Sequence, residues 1–336
     1  MALPAAQGAD RDRGHHPARG RRADDLSEFL QQLDPVSLLS ITLITATPLT
    51  LAALGGMMCE RSGVVNIALE GIMLTGAFIG YAVAFFTHNL WIGVAAAVLS
   101  GMIIASLHAV LSISLLVDQI VSGMVINIMA VGITGVFYRT YLESATSAGP
   151  GTLPHWNVPV LSSIPVIGPI FFENQFVTYA MLVLILVVHF VLFRTVWGLR
   201  TRACGEHPRA AETAGINVHF VRYVNVITSG ALAGLGGAYF SLQQIGNFLP
   251  NMTGGRGYIA LAAMIFGKWT PVGAFGASLL FSGSDQIGSR MQSVFHVQIP
   301  LQFLGMLPYL LTIVVLAGAM GRAIAPAAVG RPYKKD

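Results

Sequence analysis

Apolar residues in this chain fall in long unbroken runs, without the strict alternation of a half-buried strand or the three-and-four spacing of a surface helix. Nine runs stand out, at 36–58, 63–86, 90–117, 119–141, 176–193, 223–246, 257–267, 271–289 and 301–322. Most approach the ~20 residues a helix needs to cross a bilayer. Strands of a membrane barrel would alternate, and these runs do not. The pattern predicts an all-α fold: a polytopic membrane helical bundle of about nine transmembrane helices, eight to ten at the limits.

Two runs depart from the pattern. The second opens on "GVVNIALEG", which sets Asn66 and Glu70 into apolar surroundings. The seventh spans only 11 residues and follows "NMTGGRG". These two places also correspond. "LAALGG" at 51–56 returns as "LAGLGG" at 232–237, and "NIALEG" at 66–71 returns as "YIALAA" at 258–263, in the same order. Five expected crossings separate the copies, so the second is inverted, as in many transporters. Short or glycine-interrupted segments at matching positions mark the path of such proteins. Here they are 62–71 and 253–264, both expected to be broken helices. Gly63, Gly254, Gly255 and Gly257 free the backbone there from helical geometry. Tyr258 opens the second copy of the matched block and falls in the same candidate path.

Glu70 lies about seven residues into its run, some 10 Å deep by helix rise. A carboxylate at that depth faces a cavity or a partner rather than lipid. Two roles are open to it. It lines a permeation path with Asn66, or it hydrogen-bonds unwound backbone and holds the break in shape. Asn127, inside the fourth run, reads first as interhelical glue. His108 and His189 read as packing histidines.

Composition sharpens the class. Of 336 residues, 54% are hydrophobic and 10% charged, against about 25% charged in a soluble domain. Two cysteines support neither a disulfide framework nor a cysteine metal site. The net charge of +4 reflects basic residues at membrane edges, and no folded basic domain is present to bind nucleic acid. Phosphate-loop, zinc-protease and serine-hydrolase signatures are missing, so no catalytic residue, metal site or bound cofactor is expected.

Charge placement sets the orientation. The loop at 194–222 carries Arg194, Arg200, Arg202, Arg209 and Arg222, and the tail at 323–336 carries Arg331, Lys334 and Lys335. Both are expected in the cytoplasm. The loop at 142–175 has five prolines, two glutamates and no Lys or Arg, and is expected outside. Nine crossings then put the N-terminus outside; the alternative keeps the tail inside and makes one run re-entrant. Residues 1–34 read as a disordered polar tail and 35–322 as the transmembrane domain.

Within the basic loop, "EHPRAAETAGIN" places Pro208 at the start and Gly215 past the end of a short helix over 208–214. It is too short and polar to cross, and a helix of two turns needs a surface to dock on.

At this point the chain resembles a family. "ERSGVVNIALEGIMLTGAF" is similar to the permease subunits of bacterial ABC importers of the ribose, nucleoside and branched-chain amino acid type. "GLRTRACGEHPRAAETAGINV" resembles the loop by which such permeases contact their ATPase. "GGRGYIALAAMIFGKWTPVGAFGASLLF" most resembles the nucleoside branch. The likeness covers about 36–320. The sugar branch has an acidic block where this chain has "NIALEG". The resemblance implies a coupling helix over 205–215, with Glu206, Pro208, Ala211 and Gly215 matching the family loop. It implies that 62–71 and 253–264 line the path for a small polar solute, most readily a nucleoside. It also implies a separate ATPase subunit that uses ATP and Mg, a second and different permease chain, and an extracytoplasmic substrate-binding protein, all at the bacterial inner membrane. A simple sugar or an amino acid is the alternative substrate. An ion-coupled carrier or channel acting without an ATPase is the alternative mechanism, and it leaves the capped basic loop unexplained.

Overall fold

In the computed structural model, residues 34–143, 149–295 and 324–334 are described, with side chains to 290 in the second stretch. The last expected run, 301–322, and most of the N-terminal tail lie outside these residues. The other eight runs each carry a helix. They form α1 (Pro35–Arg61), α2 (Leu69–Thr87), α3 (Leu90–Ala109), α4 (Gln119–Phe137), α5 (Phe176–Arg194), α8 (Val218–Ala238), α9 (Arg256–Phe266) and α10 (Pro271–Phe295). The basic loop supplies α6 (Val196–Glu206) and α7 (Pro208–Thr213). α3, α4 and α8 each run on into a π-helical turn, at Val110–Ser114, Tyr138–Leu142 and Tyr239–Ile245. Five described helices are long and apolar enough to cross a bilayer: α1, α2, α5, and α3 and α4 with their π turns.

Local chemistry sets the ends. Asp34 caps α1 by accepting from the amides of Val36 and Ser37, with Pro35 in the first turn. Asn89 does the same for α3 and Asp118 for α4. α2 ends on His88, in the left-handed region at φ 52°.

The expected loop at 142–175 is not wholly irregular. His155–Asn157 (β1) pairs antiparallel with Glu173–Gln175 (β2). Among the described residues, the otherwise helical fold thus carries one small strand pair. Tyr179 fastens it by donating to the Trp156 carbonyl, and Gln175 donates to the Leu153 carbonyl.

Small residues let the helices touch at their backbones, which is how helices associate where lipid offers no hydrophobic drive. A Cβ built on Gly101 of α3 would lie 2.2 Å from the Gly230 carbonyl oxygen of α8. One on Gly237 would lie 2.1 Å from the Met73 carbonyl oxygen of α2. α8 is therefore the central post, against which α1, α2 and α3 all pack. Close approaches pair Pro48 with Gly236, Gly55 with Ser229 and Gly63 with Arg222. Residue numbers rise on α1 as they fall on α8, so the helices carrying the two matched glycine blocks run antiparallel. Lipid-side positions stay apolar, as at Ile128 and Val136 of α4, which are exposed.

Candidate functional site: two broken helices joined at their starts

α2 does not begin where its apolar run begins. α1 ends at Arg61, and residues 62–68 turn without helix before Leu69. Gly63 makes this possible at φ +98°, a left-handed conformation that a side chain resists. An unwound stretch inside an apolar bundle must have its backbone satisfied by side chains. Four polar residues do this. Gln119 accepts from the Val65 amide at 2.7 Å. His108 Nε2 lies 2.9 Å from the Val65 carbonyl, and its Nδ1 lies 3.0 Å from the Ser122 hydroxyl. A carbonyl can only accept, so Nε2 carries a proton. Asn127 donates to the Ile67 carbonyl at 2.9 Å and accepts from the Gly71 amide at 2.7 Å. Asn66 accepts from the Ala68 amide at 3.1 Å and donates to the Ser229 hydroxyl of α8 at 3.0 Å.

The second break mirrors the first. α8 gives way at Ile245, and the chain turns through Gly254 (φ +55°) and Gly255 (φ +84°) before α9 starts at Arg256. With 11 residues, α9 is about 16 Å long by helix rise, well short of a ~30 Å hydrocarbon core. Its first amides need acceptors, and Glu70 supplies them. Oε1 accepts from the Thr253 hydroxyl at 2.6 Å and the Gly255 amide at 2.8 Å, and Oε2 accepts from the Gly257 amide at 2.6 Å. Glu70 also stands in the first turn of its own helix. Its charge thus lies between the positive ends of two helices, the placement that favours an anion. Gly257 is obligatory: a Cβ there would lie 2.5 Å from Glu70 Cα.

The five residues expected at the path are therefore brought to one locus, in two layers. Asn66 and Glu70 are buried, while Gly254 and Tyr258 are exposed and Gly255 is intermediate. The Tyr258 hydroxyl accepts from Asn127 at 2.9 Å, so one amide ties both breaks to α4. Both of Glu70's oxygens are engaged by the second break, which is the geometry of a clamp. Sequence reasoning did not single out Gln119 and Ser229, polar residues within apolar runs, or Thr253, at the edge of the second expected break. Arg256 opens α9, with its guanidinium 5.4 Å from the Phe240 ring centre.

At the basic loop, the short helix forms as its sequence dictates, with Pro208 in its first turn and Gly215 beyond its end at φ +83°. The four family-matched residues do not share a face. Ala211 is buried among Cys204, Val218, Val221 and Tyr333. Glu206 accepts from the Ala327 amide at 3.1 Å, and Pro208 is half-buried. The outward positions are Glu206, His207, Arg209, Ala210, Thr213, Ala214 and Gly215. Burial pushes the Cys204 thiol up to about 11, against the pull of the nearby Arg222 guanidinium. Among the described residues no cluster of His, Cys, Asp or Glu could hold a metal.

Apolar helices packed through glycine, two of them starting from side-chain-held unwound backbone, make a multi-pass membrane protein of the transporter kind. The comparisons give the family. A model described as "Branched-chain amino acid transport system / permease component" matches residues 38–316, and the chain belongs to that family. The nucleoside ABC transporter permease protein NupC of Lactococcus lactis subsp. cremoris (strain MG1363) is 41% identical over 304 residues, covering 88% of this chain and 95% of the relative. The guanosine ABC transporter permease protein NupQ of Bacillus subtilis (strain 168) is 42% identical, covering 90% and 99%. A putative glucose ABC transporter permease protein of Haloferax volcanii, TsgC13, is 34% identical, covering 89% and 98%. No solved structure matches the chain.

Proposed function

We propose that this chain is the membrane permease of an ATP-binding cassette importer that carries nucleosides across a bacterial inner membrane. The observation that carries the reading is the pair of facing breaks locked through Glu70, in a chain 41–42% identical to two permeases named for nucleoside and guanosine transport. Tyr258 and Gly254 border the path, and Asn66, Glu70 and Gly255 brace its wall. α7 is the coupling helix, received by a separate ATPase. Ala211 sets its pose from behind, Glu206 ties its entry to the terminal segment, and its outward face makes the contact. ATP binding and hydrolysis belong to that partner, which supplies the free-energy difference between outward- and inward-facing states. The clamp lets both broken helices move as one body when the state changes. A second, different permease chain and an extracytoplasmic binding protein complete the system. The C-terminus is cytoplasmic and the N-terminus external.

The test is purification from the native membrane in mild detergent, followed by reconstitution and uptake of guanosine, cytidine and glucose. An ABC ATPase should co-purify, and guanosine uptake should require ATP. The 34% identity to a chain named for glucose favours sugar as the second reading, which glucose uptake without nucleoside uptake would establish. A chain that purifies without an ATPase and moves solute without ATP is an ion-coupled carrier or channel, and the proposal falls.

A further inference from the structure

Residues 324–334 have neither helix nor strand, yet they bond to three separate parts of the molecule. The Ala327 amide donates to Glu206, and the Ala328 amide donates to the Gly205 carbonyl at 2.8 Å, both at the end of α6. The Gly330 amide donates to the Gly63 carbonyl at 3.2 Å, in the turn that begins the first break. The Tyr333 hydroxyl donates to Glu212 of α7. Arg222, at the start of α8, binds the assembly together. Its Nε donates to the Ser62 carbonyl at 3.1 Å, its Nη1 donates to the Arg331 carbonyl at 3.5 Å, and its guanidinium lies 5.6 Å from the Tyr333 ring centre. Arg222 is only 2% exposed; carbonyls take its Nε and Nη1 and a ring faces its guanidinium, while Nη2 has no hydrogen-bond partner among the described residues.

The contacts form a chain of connection. From α7 it runs through Glu212 and Tyr333 into the terminal segment, through Gly330 to Gly63, and along the unwound residues to Glu70 and α9. A second contact joins α7 to the same place: Gly205, three residues before Pro208, packs on the Arg61 carbonyl. The segment also packs apolar surface, with Pro326 and Ala328 buried and the Tyr333 ring set against Cys204, Ala211, Val218 and Val221, while its hydroxyl reaches a carboxylate and Ile324 is left 81% exposed.

We propose that residues 324–334 are a strap that fastens the short helix α7 to the first helix break, so that displacement of α7 reaches the Glu70 clamp. Tyr333 and Arg222 are its positioning residues. The inference rests on α7 being the ATPase contact, and the test separates the two. The complex is purified with its ATPase, carrying Tyr258→Cys as a reporter at the break. Maleimide labelling of that cysteine is timed with and without trapping by ATP and vanadate. The full-length chain should change its labelling rate by about fivefold or more, the lower end of ordinary coupling between sites. A chain ending at residue 323 should keep its ATPase and still trap vanadate, but lose the change. Tyr333→Phe, which removes one hydroxyl and keeps the ring under Arg222, should reduce it. If the shortened chain fails to reach the membrane, Tyr333→Phe decides alone. A full-sized response in whichever variant is stable overturns the strap. Absence of an ATPase, or no response in the full-length complex, overturns the α7 reading instead, and the strap with it.

Discussion

At the scale of single residues, Glu70 is the group on which most geometry converges. Replacing it with Gln keeps an acceptor for Thr253 and Gly255 but sets an amide NH2 against the Gly257 N–H 2.6 Å away. Two donors cannot pair, and a buried donor left without an acceptor costs about 1–3 kcal/mol. Glu70→Gln should therefore lower the thermal stability of the purified chain, while Glu70→Ala should lower it further. Unfolding followed by intrinsic fluorescence checks the order, and a Gln variant as stable as the wild type would refute the clamp. Cys204 gives a second residue-scale expectation. With its thiol raised to about 11 by burial, it stays protonated at neutral pH. A thiol whose folded value lies above its ordinary one adds stability at neutral pH, and that contribution is lost as pH climbs toward 11. Maleimide should label Cys204 far more slowly at pH 7.5 in the folded chain than after denaturation. Rapid labelling in the folded chain would mean that α6 does not pack as described. The sequence made Glu70 visible, because a carboxylate in an apolar run calls for a reason. It left open whether that reason was path or clamp, because the choice depends on a hydroxyl and two amides 183 to 187 residues away.

At the scale of elements, the runs gave helices and their order, since unbroken apolar stretches of that length leave the backbone no other internal solution. The break in the second run was less legible. Composition continues apolar from Val64 onward, and only Gly63 and Asn66 hint that helix is lost until Leu69. The π-helical turns and α6 were not foreseen, because neither changes the apolar pattern. Helix contacts carry a prediction of their own. α3 meets α8 with Gly101 and Gly230 backbone to backbone, where an added Cβ would sit 2.2 Å from a carbonyl oxygen. Gly101→Leu should force the two helices apart and sharply reduce the folded chain recovered from membranes. Gly132→Leu, at a position with nothing within 4 Å, should be tolerated. Quantitative recovery by fluorescence-detected size exclusion compares them. Equal recovery would mean that α3 and α8 do not touch there.

At the scale of the whole molecule, the two breaks, the basic loop and the terminal segment become one mechanical unit only if their sides of the membrane agree. The contacts fix part of this. α6, α7 and residues 324–334 join one another and the end of α1, so they share one face of the bundle. Trp156 lies on the strand pair between α4 and α5, packed on Trp91 and Phe176 at ring distances of 5.7 and 5.9 Å. The proposed orientation has the first group in the cytoplasm, where basic loops are retained, and the strand pair, in a loop free of Lys and Arg, outside. Single cysteines at Arg209, Lys334 and Trp156, in a chain whose own two are replaced by serine, separate the alternatives. An impermeant maleimide added to intact cells should label position 156 at once. Positions 209 and 334 should react only after permeabilisation. A cysteine in the N-terminal tail at Ala23 should behave like 156 if the tail is external, and like 209 if an odd number of the expected spans fails to cross. Labelling of 209 and 334 on opposite sides would break the connection from α7 to Gly63. The clamp at Glu70 would then have no route to an ATPase, whatever solute the path carries.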